Sequence, residues 1–155
     1  MATEADRKEI LALYKVQLGR EFCPWNDEYP SDETIDWDLS RDALYVFKEH
    51  GVIKAAVSLE KDEDVDALPC WDDSLSPSGE LARLAVLPEE QSKGLGRVML
   101  KYGMGEWKRR GCIGIHFLVN KYNTKAIRCY ASFGFRVVGE CHMYEQDLLC
   151  YEKEL

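Results

Sequence analysis

The sequence contains no apolar stretch approaching the roughly 20 residues needed to span a bilayer, so no membrane segment is expected. It also lacks any C-x-x-C pair. Cys23, Cys70, Cys112, Cys129, Cys141 and Cys150 are scattered, without histidines at ligand spacing, and no zinc or other metal site is expected. A concentrated basic face is missing too: 20 Lys and Arg stand against 28 Asp and Glu, a formal net charge of -8, which argues against a nucleic-acid partner. No internal repeat and no low-complexity linker interrupts the chain. The opening Met1-Ala2-Thr3-Glu4-Ala5-Asp6 is acidic where a secretory leader would be basic, and a cytoplasmic location is the expectation.

What is present fits an ordinary folded domain. Hydrophobic residues make up 46% and charged residues 31%, close to the averages of globular proteins, and 155 residues suit a single compact domain over 1–155. The negative charge either draws in a cationic acceptor or only keeps the domain dispersed. Charge alone does not choose.

Thr3-Glu4-Ala5-Asp6 resembles a capping box, and Ile10, Leu13, Tyr14, Gln17 and Leu18 follow at helical spacing, predicting a first amphipathic helix that ends near Gly19. Pro30-Ser31 opens a second, shorter helix with Ile35 and Leu39 on one face. Ala43 to Lys48 and Val52 to Leu59 flank Glu49-His50-Gly51 and read as a hairpin. Glu60 to Ser78 is a long, densely acidic connection of the kind that is often functional or mobile. Leu81 to Leu87 reads as a buried strand stopped by Pro88. Leu100, Met104 and Trp107 mark a helix ending in Lys108-Arg109-Arg110-Gly111. Ile113 to Val119 alternates as a strand, Thr124 to Phe133 as a helix, and Phe135 to Tyr144 with Leu148 to Glu154 as a closing strand pair. The order predicts a mixed α/β (α+β) domain. His50, His116 and His142 are dispersed and are read as structural.

Gln91-Ser92-Lys93-Gly94-Leu95-Gly96 stands between a strand and a helix start. The first N–H groups of a helix have no intrahelical acceptor and the helix dipole favours an anion, so such a turn suits a pyrophosphate, or uses glycine for turn geometry alone. It lacks the third glycine of a dinucleotide fingerprint and the Gly-Lys-Ser/Thr ending of a P-loop, which weakens a nucleotide-binding α/β reading.

Together with the preceding Leu84-Ala85-Val86-Leu87-Pro88 and the later Asn123-x-x-Ala126-x-x-x-Tyr130-x-x-x-Gly134-Phe135, this turn resembles the two signature segments of the GNAT N-acetyltransferase superfamily. The resemblance runs from about Glu80 to Glu140. It implies a central, mostly antiparallel mixed sheet flanked by helices, and acetyl-CoA as cofactor. Gln91, Ser92, Lys93, Gly94, Leu95, Gly96 and Arg97 are implied as pyrophosphate contacts, and the backbone of Leu84, Ala85 and Val86 as a strand edge for the pantetheine arm. Asn123 is implied to contact that arm and Ala126 to keep the helix face thin. Tyr130 is implied as the acid that protonates departing thiolate. Glu80 is implied as the base that takes the amine proton, or it is an exposed strand-end charge.

The implied reaction is direct attack by an amine in a ternary complex, helped by proximity and by a backbone N–H, that of Val86, polarising the carbonyl. The acceptor is a small-molecule or peptide amine. Trp25, Tyr29, Trp37 and Tyr144 either receive it, since a cation can rest on such rings, or pack as core and lid. A non-catalytic CoA-binding sensor or interaction module is the competing class. Arg83 is expected to be a surface or salt-bridged residue. One departure stands out: the family's opening strand is missing or very short here, leaving an edge that a homodimer partner could cover.

Overall fold

A computed structural model describes residues 1–155. Its helices are α1 (Arg7–Lys15), α2 (Asp32–Ser40), α3 (Glu63–Asp66), α4 (Leu95–Arg109) and α5 (Thr124–Ser132). Its strands are β1 (Leu44–Glu49), β2 (Val52–Glu60), β3 (Ser78–Val86), β4 (Gly114–Asn120), β5 (Arg136–Met143) and β6 (Gln146–Glu154). The six strands form one sheet in the order β1-β2-β3-β4-β6-β5. β3 and β4 run parallel, whereas β1–β2, β4–β6 and β5–β6 are antiparallel. The expected mostly antiparallel mixed sheet is present. Contacts group the residues into two compact units, Met1–Leu59 with Ala82–Gly103, and Glu60–Leu81 with Met104–Leu155.

In the first unit the capping box forms: Thr3 N–H donates to Asp6 Oδ2 at 2.9 Å, and a single 3-10 turn leads into α1. The helix is shorter than its periodicity suggests, ending at Lys15, with turns carrying the chain on to Gly19. Ser31 and Thr34 cap α2 in the same reciprocal way. Both helices bury one face, Ile10, Leu13 and Tyr14 from α1 and Ile35 from α2, together with Leu44, Ile53, Ala56 and Ala85 of the sheet. His50 and Gly51 at the β1–β2 turn both have positive φ, as a tight hairpin requires. Only a trace of an earlier strand exists, the hydrogen bond from Ala2 N–H to the Leu44 carbonyl at 2.8 Å.

In the second unit the acidic connection is more ordered than its composition implies. Asp62 caps α3 by accepting from the N–H groups of Asp64 and Val65, and Asp72 caps a 3-10 turn through Ser74 N–H. Val65 and Leu75 anchor it by burying their side chains. Two Asx caps and two apolar anchors hold a segment that charge density alone would leave as loop.

The sheet of this unit has two distinct faces. On one, Phe117 packs against Tyr130 of α5, Phe135 and Tyr151 at centroid distances of 4.7, 4.8 and 6.2 Å. Gly79 lies on this face directly under the Trp107 ring, which is fixed by a bond from its Nε1–H to the Glu80 carbonyl at 2.9 Å. A Cβ at position 79 would overlap three indole atoms. Gly79→Ala is therefore expected to cost about 1–3 kcal/mol by overpacking. Thermal unfolding should register this as a fall of several degrees; an unchanged midpoint would mean that the indole moves aside freely.

The other face carries Glu80, His116 and Glu152, all buried, beneath the 60–78 connection. Here the scattered cysteines partly converge, Cys150 and Cys141 Sγ standing 4.0 Å apart with Cys70 beside Gly139. Burial pushes the Cys150 thiol well above its ordinary range.

Candidate active site

β3 is the central element. It begins at Ser78, ahead of the expected Leu81, because its first residues ladder with β4 from Ser78↔Gly114 to Glu80↔His116. Beyond Glu80 the strand continues to Val86 without β4 partners. Of Leu84–Val86, Ala85 alone buries its side chain in the core, and the Val86 carbonyl is taken by Gln17 and Gln91.

Within this stretch Arg83 adopts a φ of 49°, a left-handed conformation that a non-glycine residue in a strand takes only when its surroundings enforce it. The enforcement is visible. The Arg83 guanidinium donates to Asp38 at 2.8 and 3.2 Å, to Ser58 Oγ at 3.3 Å and to Tyr29 Oη at 3.0 Å. Asp38 is fully buried and also accepts from Ser58 Oγ at 2.6 Å and Arg41 at 2.9 Å. A distortion of this kind re-aims backbone groups locally, as bulges do beside active sites. The expectation of a salt-bridged Arg83 holds, but as a buried anchor and not a surface pair.

The glycine turn follows. Gln91 folds back, its Nε2 donating to the Val86 carbonyl at 3.2 Å while its Oε1 accepts from Arg20 at 2.8 Å. Its side chain staples the turn to β3, leaving the backbone for a ligand. Gln17 reinforces the staple from α1 by donating to the same carbonyl at 3.0 Å. Ser92 and Gly94 take positive φ values of 63° and 89°, and Leu95 begins α4. A Cβ built on Gly94 or Gly96 meets nothing within 4 Å, so both glycines open onto clear space beside the helix start. Lys93 is exposed and pairs with Glu90 at 3.3 Å.

In the second unit Asn123 caps α5, its Oδ1 accepting from Ala126 N–H at 3.1 Å. It stands outside the helix, as its cap, with ψ of 77°. Tyr130 is half-buried among Phe117, Phe135 and Tyr151, and burial raises its phenol above the ordinary range, keeping it neutral.

Glu80 departs from the exposed strand-end alternative, being 9% exposed. Burial first, then the charges of Asp62, Glu60 and Asp66, push its carboxyl up to about 8. Its Oε2 has no hydrogen-bond partner. A carboxyl poised close to neutral pH is suited to taking a proton from an amine.

The four aromatics separate by role. Trp25 packs edge-on against Tyr14 at 5.4 Å as part of the core margin. The Trp37 ring is exposed but already carries the Arg41 guanidinium at 4.7 Å. Tyr29 is exposed and tied to Arg83, and Tyr144 is exposed with its hydroxyl donating to Asp62 at 2.8 Å. Only Tyr29 and Tyr144 present rings that are neither packed nor taken. Asp38 and Glu152 escaped the sequence reading, and His116 was read there as structural although a histidine inside the apolar run Ile113 to Val119 was a usable signal.

No helix is long and apolar enough to cross a membrane. The profile of the Acetyltransferase (GNAT) family matches residues 10–135. A mycothiol acetyltransferase of Corynebacterium urealyticum is 26% identical over 95% of this chain and 47% of that protein; another, from Thermobispora bispora, is 39% identical over 38% of the chain and 20% of its own length. The chain thus spans about half or less of the curated relatives it matches. Among solved structures, a ribosomal-protein-alanine N-acetyltransferase from Brucella melitensis superposes with a TM-score of 0.78 at 23% identity, over 99% of this chain and 97% of that one. The yncA protein of Salmonella typhimurium, solved with its cofactor acetyl-CoA, gives 0.78 at 25% identity over 99% and 91%. The chain belongs to the acetyltransferase (GNAT) family.

Proposed function

We propose that the chain is an acetyl-CoA-dependent N-acetyltransferase that acetylates a primary amine of a small molecule or peptide by direct attack. The observation that carries this reading is that one strand, β3, bears both Leu84–Val86, beyond the end of its β4 ladder, and the buried Glu80 carboxyl, and leads directly into the glycine turn. The residues present fit the cofactor. Gly94 and Gly96 leave room beside the first N–H groups of α4, where an anion is favoured. Gln91, Ser92, Lys93, Leu95 and Arg97 complete this turn.

Bound acetyl-CoA supplies the thioester whose acetyl group is transferred. Leu84, Ala85 and Val86 hold the pantetheine arm by strand addition, and the Val86 N–H polarises the carbonyl. Asn123 contributes its amide nitrogen to the arm, since its oxygen is occupied by the helix cap. Glu80 takes the proton from the attacking nitrogen and Tyr130 gives one to the departing sulfur. Tyr29 and Tyr144, an exposed ring in each unit, are the candidates to receive a cationic acceptor. The mycothiol acetyltransferase relatives favour a small-molecule acceptor, and six free cysteines accord with a reducing, cytoplasmic setting.

Gly96→Asp tests the cofactor site without disturbing the fold. A Cβ at position 96 meets nothing within 4 Å, and an acidic group in the first turn of a helix is if anything stabilising. Calorimetry should show acetyl-CoA affinity falling at least tenfold, about 1.4 kcal/mol, with an unchanged melting temperature. Undiminished affinity would remove the pyrophosphate from this turn.

A further inference from the structure

Glu80, His116 and Glu152 occupy one row across three neighbouring strands. The register pairs Glu80 of β3 with His116 of β4, and His116 with Glu152 of β6. Paired residues on adjacent strands lie about 4.8 Å apart and project to the same face. Four buried side-chain polar atoms in the protein have no hydrogen-bond partner, and three of them belong to this row: Glu80 Oε2, His116 Nδ1 and Glu152 Oε2. Unsatisfied buried polar atoms are costly, and their concentration in one row calls for a role.

The His116 ring is held rigidly. It stacks on Trp71 at 4.3 Å and 10°, and Trp71 is itself fixed by donating to the Val65 carbonyl at 2.7 Å. Its Nε2 lies 2.8 Å from Asp66 Oδ1, which fixes the neutral tautomer as Nε2–H with Nδ1 as the open acceptor. The His116 side chain is 4% exposed and that of Asp66 is 41% exposed. The imidazole therefore stands between a buried carboxyl and a carboxylate that reaches water.

We propose that His116 and Asp66 carry the proton collected by Glu80 out to solvent. The inference rests on the reading of Glu80 as base. The amine proton passes to the Glu80 carboxylate; neither Glu80 Oε2 nor His116 Nδ1 is hydrogen-bonded at rest, so the carboxyl turns toward the ring before handing the proton to His116 Nδ1. The resulting imidazolium faces Asp66, and loss of one ring proton to solvent by way of Asp66 completes the transfer. His116 acts through Glu80 and is a positioning residue.

The surrounding charges fit this task. Glu60 at the end of β2 and Asp62 and Asp66 bordering or within α3 act on Glu80, while Tyr144 of the β5–β6 turn is influenced by Glu80, Asp62 and Asp64. Asp66 and Glu152 act on His116 against burial, which prevails and keeps the ring less basic than usual. Glu152 is compensated separately by Asp72 N–H at 2.8 Å and by Arg136 at 3.6 Å. At rest the ring is neutral and ready to accept, and because it is less basic than the Glu80 carboxylate the hand-off is uphill and is drawn forward by loss of the ring proton to solvent.

The test compares the wild type with His116→Gln, Asp66→Asn and Glu80→Gln, using acetyl-CoA with either benzylamine or hydroxylamine across pH. Glutamine at 116 can keep the Asp66 bond but cannot pass a proton. With benzylamine, His116→Gln should lower kcat about tenfold or more near neutral pH. Its rate should keep rising above the pH of about 8 where the wild type levels off. Asp66→Asn should change in the same direction. Hydroxylamine, whose weakly basic nitrogen loses its proton readily to water, should be turned over at a nearly unchanged rate. A wild-type profile in His116→Gln, or equal losses with both amines, would overturn the relay. Glu80→Gln at the wild-type rate would instead overturn the base, so the two failures are distinguishable.

Discussion

Tyr130→Phe is expected to lower kcat on the order of 10²-fold while leaving acetyl-CoA affinity and the melting temperature nearly unchanged. The ring of Tyr130 does the packing, against Phe117 at 4.7 Å and Tyr151 at 5.7 Å, and phenylalanine preserves those contacts. What is lost is the hydroxyl, which burial keeps neutral. Because a thiolate is already a fair leaving group, a loss nearer tenfold would indicate positioning more than proton donation. Wild-type turnover, measured where chemistry is rate-limiting, would take Tyr130 out of the mechanism.

The largest effect on stability is expected at Asp38. Its carboxylate is fully buried and answers two arginines and Ser58. Asp38→Ala leaves the Arg83 guanidinium, with its side chain 6% exposed, without its charge partner in the interior. Breaking a buried pair from one side costs about 3–5 kcal/mol, which for a chain of this size corresponds to a fall of roughly 10 °C or more in Tm. Replacing both ends together, Asp38→Leu with Arg83→Met, should cost less than the two single changes summed, because no charge is stranded. Activity should nevertheless fall in the double variant, since the φ of 49° at residue 83 would lose the bonds that hold it. Additive losses in stability, or full activity in the double variant, would show that the ion pair does not maintain the β3 distortion.

Local rules made much of this legible in the sequence. The capping box at Thr3, the Pro30-Ser31 helix start, the His50-Gly51 hairpin and the glycine turn before α4 each depend on neighbouring residues, and each appears where the pattern places it. The acidic connection misled because composition does not reveal that Asp62 and Asp72 are caps. The site was visible only in part. Spacing could mark Gly94, Gly96, Asn123 and Tyr130, but no spacing brings Asp38 to Arg83 or places His116 beside Glu80. Those relations arise from strand register and helix packing between distant segments. Glu80 shows the difference most clearly: as a letter it reads equally well as an exposed charge, and only burial among Glu60, Asp62 and Asp66 brings its carboxyl up to about 8.

The most direct measurement is a transfer assay with purified protein, acetyl-CoA and a panel of primary amines, following free CoA thiol and acetylated amine together. The account predicts that both products appear in equal amounts, that each needs the amine, and that both fall in parallel in Tyr130→Phe and Glu80→Gln. Tight acetyl-CoA binding with no amine-dependent thiol release across the panel would contradict it and would leave the chain a CoA-binding module.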